Sequence, residues 1–201
     1  MVSCLKIGVL ALQGDFAAHA KALGRLGAEA IEVRDAAALR SASGLVIPGG
    51  ESSTILKLIT EENLAQPIID FARTGRPVFG TCAGAILLAR EVHNPDQPSL
   101  NLIDIDVVRN AYGRQVDSFV ATADTDFEGG PLEAVFIRAP KISRVGPGVE
   151  VLASLAGEPV LVRAGNVMAG TFHPELTDDT RVHQLVVNEA REFTVCTHPL
   201  T

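Results

Sequence analysis

Short apolar runs alternate with segments of helical period through the first half of the chain. Leu5-Lys6-Ile7-Gly8-Val9-Leu10-Ala11-Leu12 is too short and too continuously apolar for a core helix, and it reads as a strand buried on both faces. Gln13-Gly14-Asp15 ends it. Phe16, Ala20 and Leu23 then recur at helical spacing, and Gly27 stops that helix before the alternating strand Ala28 to Val33. A third strand, Gly44 to Ile47, runs into Pro48-Gly49-Gly50-Glu51-Ser52-Ser53 and a helix from Thr54 to Ile59. Pro67 opens a further helical stretch to Thr74, and Arg76-Pro77-Val78-Phe79 is the next strand. Alternating strands and helices predict an open, mostly parallel α/β sheet of the flavodoxin-like kind, flanked by helices. Ligands of such sheets bind beyond the carboxyl ends of the strands.

After Glu91 the period changes. His93 to Pro98 is a loop, and Ile103 to Arg109, Phe119 to Ala123, Ala134 to Ile137, Val149 to Ala153, Val160 to Arg163 and Val167 to Phe172 are strand-like, so the second half adds mainly antiparallel strands. Val182, Leu185, Val186, Ala190 and Phe193 share one face of a closing helix. The chain shows no repeat and no linker that divides it, which makes 1–201 a single domain by expectation.

Between the strand at Phe79 and a helix over Ala83 to Ala89 stands Gly80-Thr81-Cys82-Ala83-Gly84. Glycines two before and two after Cys82 remove Cβ atoms where strand and helix come closest, the form of a nucleophile elbow. A thiol at a helix N-terminus faces the positive end of the dipole, which favours the thiolate. The N–H of Ala83 then supplies one half of an oxyanion hole.

Composition narrows the partners. With 17 basic against 24 acidic residues the net charge is −7, and there is no basic run, which speaks against nucleic acid and anionic membrane surfaces. Cys4, Cys82 and Cys196 lie far apart without Cys-x-x-Cys spacing, against a disulfide framework and against structural zinc, so a reducing compartment is implied. The opening residues lack a signal-peptide hydrophobic region and no apolar run reaches membrane-spanning length, so a cytoplasmic location, with no metal and no cofactor, is expected.

Cysteine chemistry needs a base and a group to orient it. Of five histidines, His173 ends an apolar strand and is followed by Pro174 and Glu175, which puts an imidazole and a carboxylate two residues apart at a strand end and makes Cys82, His173 and Glu175 a triad. His19, His93, His183 and His198 read as solvated or capping residues. Pro48 to Ser53 admits a plain turn, a phosphate loop without the usual Gly-Lys-Ser ending, or an oxyanion loop whose peptide joins that of Ala83.

Gly80-Thr81-Cys82-Ala83-Gly84, His173-Pro174-Glu175 and Pro48-Gly49-Gly50-Glu51-Ser52 together resemble the class I glutamine amidotransferases, a family of Cys-His-Glu glutaminases. Within it, Gly8 to Gly14, the stretch Arg109 to Phe119, the pair Ile137-Arg138 and Phe172 to Thr177 are similar to the glutaminase subunits that serve pyridoxal 5'-phosphate synthases. The resemblance implies Cys82 as nucleophile, His173 as general base and acid, and Glu175 as its orienting partner. It also implies Gly49, Gly50, Glu51, Arg109, Ile137 and Arg138 around L-glutamine, with Gly50 and Ala83 forming the oxyanion hole. Finally it implies a (β/α)₈ synthase subunit as partner, in an assembly of twelve and twelve. Two alternatives stay open: a stand-alone cysteine amidohydrolase, and a non-catalytic regulatory subunit on the same fold.

Overall fold

The computed structural model describes residues 5–109 and 118–197. Cys4, His198 and the part of the Arg109–Phe119 stretch from Asn110 to Asp117 lie outside the described residues. In the first half, β1 (Lys6–Leu10), α1 (Phe16–Arg25), β2 (Glu29–Val33), α2 (Ala36–Arg40), β3 (Gly44–Ile47), α3 (Ser52–Glu61), α4 (Ala65–Arg73), β4 (Val78–Thr81) and α5 (Ala83–Leu88) follow one another. The second half continues with β5 (Ala89–His93), β6 (Ile103–Val108), β7 (Ser118–Thr125), β8 (Leu132–Ile137), β9 (Lys141–Val145), β10 (Glu150–Leu155), β11 (Glu158–Ala164) and β12 (Val167–Gly170). A 3₁₀ turn at Pro174–Leu176 then leads to α6 (Arg181–Thr197).

The main sheet is mixed, in the order β2-β1-β3-β4-β12-β11-β10-β7-β8. From β2 to β12 neighbours run parallel, and from β12 to β8 they run antiparallel. The parallel half is therefore as expected, except that its last strand, β12, comes from the far end of the chain. A smaller sheet, β5-β6-β9, packs over one face. The sequence reading took Ala89 as the end of a helix and passed over β5, β9 and α2. A Pro at the third position of α4 is harmless, since its missing N–H would have had no intrahelical acceptor there.

Side chains alternate across the parallel strands to build two cores. Ile7, Val9, Val46 and Phe79 face α1 and α6, while Leu10, Leu45, Ile47 and Val78 face α3, α4 and α5. All eight are at most 2% exposed, so each strand is sandwiched between helices, and the strands' carboxyl ends are the free edge at which loops can build a site.

Candidate active site

Strand order decides which loops meet. β1, β3, β4 and β12 are consecutive parallel neighbours, so the residues just past their carboxyl ends lie side by side: Gln13, Gly49-Gly50, Cys82 and His173. The register Thr81↔Gly170 continues as a bond from the Cys82 N–H to the Gly170 carbonyl at 2.8 Å, three residues before His173. His173 is pinned from the other side, its N–H donating to Val135 O of β8 at 2.8 Å.

Cys82 stands at the head of α5 with φ 48° and ψ −103°, a left-handed φ that a residue with a Cβ adopts only when its surroundings force it. The flanking glycines are what force it. A Cβ on Gly84 would lie 2.1 Å from the Ile47 carbonyl oxygen, and one on Gly80 would lie 2.5 Å from the Gly84 carbonyl carbon. Any other residue at either position would push α5 off the sheet and open the turn. Ala83 follows at the first helical position, where its N–H has no intrahelical partner. The Cys82 Sγ lies 3.8 Å from the Ile137 carbonyl.

His173 Nδ1 is 2.7 Å from Glu175 Oε1, and the Cys82 side chain bears on the same ring. Burial works against a charged His173, but the hydrogen bonds and charges of Cys82 and Glu175 outweigh it and push its pKa up to about 10. The ring is thus imidazolium through neutral pH, and the stability this gives is full below the ordinary histidine value of 6.5 and falls progressively as pH rises to about 10. Glu175 is wholly buried on its side chain. The triad residues read from the sequence are brought together.

A cleft of about 270 Å³ opens over them, lined by Gly50, Glu51, Arg109, Ile137 and Arg138 with Cys82, Ala83 and His173. Gly49 does not line it but lies beneath the His173 ring. Glu51 turns its carboxylate away to cap α3, accepting from Ser53 N (3.3 Å), Thr54 N (2.7 Å) and both hydroxyls (2.8 Å each). Burial opposes its ionisation, but the four donors together overrule it and bring its pKa down to about 2. Arg109 Nη2 donates to Glu51 Oε1 at 3.1 Å, so one carboxylate anchors both α3 and this arginine. Arg138 holds a positive φ of 43°. Gln13, Ser52 and Ile86 also line the cleft and were not singled out. Gln13 Oε1 accepts from the Glu51 N–H at 2.9 Å, fixing the end of the Gly49-Gly50 loop, and its place just past β1 was the available signal.

His19 and His183 are neither solvated nor capping. Both are 0% exposed, with His19 Nδ1 2.9 Å from His183 Nε2, beneath the triad. Their helices turn them inward beside Ala22 and Leu23 on α1 and beside Val186 and Val187 on α6. Burial, then the charge of His183, holds the His19 pKa well below its ordinary value, and burial with the Arg25 charge lowers His183 to about 4. A lowered folded-state value means the unfolded chain binds more protons, so stability is full above the ordinary histidine value and falls with pH down to about 4. His183 alone should account for a loss of about 3 kcal/mol between about pH 6.5 and 4. Urea unfolding at stepped pH tests this, and a flat stability over that range would contradict neutral burial of the pair.

Elsewhere, Glu91, His93 and Asp106 bring potential ligand atoms within 4.8 Å of one another, but none of them lines the cleft and both Asp106 oxygens accept from Arg144, at 2.7 and 2.9 Å. Among the described residues no helix is long and apolar enough to cross a membrane.

The family model for SNO glutamine amidotransferases matches residues 9–192. A protein of Koribacter versatilis (strain Ellin345) named pyridoxal 5'-phosphate synthase subunit PdxT is 57% identical over 187 residues, covering 93% of this chain and 96% of that protein. Its namesake from Solibacter usitatus (strain Ellin6076) is 55% identical over 190 residues, covering 92% and 98%. Among solved structures, one described as a glutamine amidotransferase superposes with a TM-score of 0.87 at 49% identity, covering 92% of this chain and 98% of its own.

Proposed function

The chain belongs to the SNO glutamine amidotransferase family, and on that premise we propose that it hydrolyses L-glutamine to L-glutamate and ammonia as the glutaminase subunit of a pyridoxal 5'-phosphate synthase. The observation that carries the reading is Cys82 held at φ 48° on a strand-to-helix turn, against an imidazole that Glu175 grips at 2.7 Å. A cleft of about 270 Å³ is close to the lower end of small-molecule sites and suits an amino acid rather than a nucleotide. Its two arginines and its backbone carbonyl at Ile137 offer partners for an α-carboxylate and an α-ammonium.

The Cys82 thiolate attacks the side-chain amide carbon, and the carbonyl π pair moves onto oxygen, where the N–H groups of Ala83 and Gly50 receive it. The His173 imidazolium gives its proton to the amide nitrogen, the C–N bond breaks, and ammonia leaves a γ-glutamyl thioester. Neutral His173 then takes a proton from water, the hydroxide adds to the thioester, and collapse expels the Cys82 thiolate with glutamate. Glu175 accepts the Nδ1–H of His173 throughout and fixes which nitrogen faces the sulfur.

The ammonia passes to a (β/α)₈ synthase subunit, in an assembly of twelve and twelve, and the whole chain acts as one domain in the cytoplasm. The near-full-length match to relatives named as synthase subunits supports the partnership. Glutamate release should be measured for the purified chain alone and with the synthase subunit of the same source. Stimulation by the partner is expected; equal rates would remove the partner, and no release in either case would favour a non-catalytic regulatory subunit.

A further inference from the structure

Glu175 presents one oxygen to His173, and its other oxygen faces a part of the molecule that the proposed reaction does not use. Oε2 is buried and, among the described residues, accepts no hydrogen bond of good geometry. His19 Nε2 lies 3.4 Å from it, with both side chains 0% exposed. The same Nε2 is 3.2 Å from Thr81 Oγ1, on the residue just before Cys82. One imidazole from α1 therefore touches both the strand that carries the nucleophile and the turn that carries the base.

The hydrogen bonds decide where its proton sits. Among the described residues the buried His183 Nδ1 has no partner, so a proton there would be an unpaired donor, a heavier cost than a bare lone pair beside apolar atoms. The single proton of neutral His183 therefore belongs on Nε2, which donates to His19 Nδ1 at 2.9 Å. His19 must then carry its own proton on Nε2, aimed between Thr81 Oγ1 and Glu175 Oε2. The opposite arrangement would set a lone pair against the carboxylate and leave the His183 proton unpaired.

We propose that His19 is a positioning residue of the Cys82–His173–Glu175 site, its Nε2–H holding the Glu175 carboxylate in register with the nucleophile strand, and that His183 serves it by fixing that tautomer. The groups facing this pair are Glu175 and His173 from the turn beyond β12, Thr81 from β4, and Arg25 from α1, which bears on His183. Neutrality of both rings agrees with their lowered pKa values. Without His19, Oε2 is a buried oxygen with no N–H facing it, and the carboxylate is free to turn away from His173 Nδ1. His173 then loses the support that keeps it charged beside the Cys82 thiolate.

The role within catalysis rests on the glutaminase reading above, but the test does not. A His19→Met chain keeps the bulk and loses the donor, whereas the amide of His19→Gln reaches the place of Nε2 and restores it. Alkylation of Cys82 by iodoacetamide, followed on its own peptide by mass spectrometry across pH, needs neither glutamine nor partner. In H19M the pH of half-maximal alkylation should rise by about one unit, and in H19Q it should return to that of the natural chain. Glutamine kinetics should show kcat down roughly tenfold in H19M with KM little changed, and recovery in H19Q.

Nitrogen-detected histidine NMR on the natural chain adds a reading that needs no variant. A proton on His19 Nε2 supports the proposal even if H19M fails to fold, and a proton on Nδ1 overturns it. A folded H19M with an unmoved alkylation profile also overturns it. If the natural chain shows no glutaminase activity while the alkylation profile still shifts, the function above falls and the positioning role stands.

Discussion

Cys82→Ala should abolish glutamine hydrolysis, lowering kcat by roughly 10⁴-fold or more, because nothing else in the cleft can form the thioester. Among the described lining residues Cys82 carries the single sulfur, and the other polar side chains are hydroxyl, amide, guanidinium, carboxylate and imidazole groups. Among the described lining residues Ser52 is the only hydroxyl, and it is already turned to Gln97, to which it donates at 3.0 Å. The substitution removes one atom that is almost completely buried and leaves the φ of 48° to be borne by alanine, whose Cβ strains no more than that of cysteine. Folding should therefore survive, and glutamine affinity by calorimetry should stay within a few fold. Glutamate release by C82A at a rate near that of the natural chain would put the nucleophile elsewhere and undo the triad; loss of release with loss of binding would mean that the cleft itself had collapsed.

The same elbow shows how far sequence reached. Gly80, Cys82 and Gly84 fall within five consecutive residues, and a strand-to-helix turn that tight has few physical solutions, so the nucleophile could be read from the chain alone. His173 and Glu175 were legible for the same reason, as a pair at one strand end stiffened by Pro174. That β12 should lie beside β4 was not legible. The register Val167↔Val78 joins residues far apart in the chain, and nothing local to either strand names its neighbour. β5, β9 and α2 were missed because they are short and take their stability from what they pack against rather than from their own period. His19 and His183 were misread for a different reason. Each sits in an amphipathic helix three and four residues from buried apolar side chains, a spacing that places it inward against the outward preference that histidine's polarity suggests. The resemblance implies Glu51 beside the substrate; it does line the cleft, and its carboxylate also caps α3 and anchors Arg109, which nothing in the sequence signals.

Gly49→Ala should lower kcat by about 10²–10³, the size of effect seen when an oxyanion donor is lost. A Cβ at this position would lie 2.4 Å from His173 Cε1 and 3.0 Å from Nδ1, with the Cys82 Cβ at 3.3 Å. The ring cannot swing away freely, since Nδ1 is held by Glu175 at 2.7 Å and its backbone N–H by Val135. If the ring yields, the base loses its carboxylate or its line to the sulfur. If the loop yields instead, Gly50 moves with it, and its far side has little room, because Glu51 N–H is tied to Gln13. Either movement separates the base from the oxyanion donors, so the effect falls on kcat even where glutamine still binds. Gly24→Ala makes the matching control: it lies in α1 with nothing within 4 Å of the added methyl, and should stabilise the chain by about 0.5–1 kcal/mol without touching turnover. Natural turnover in G49A would mean that the loop and the imidazole do not share this contact during the reaction, and the Gly49-Gly50 peptide would then have no place in the oxyanion hole.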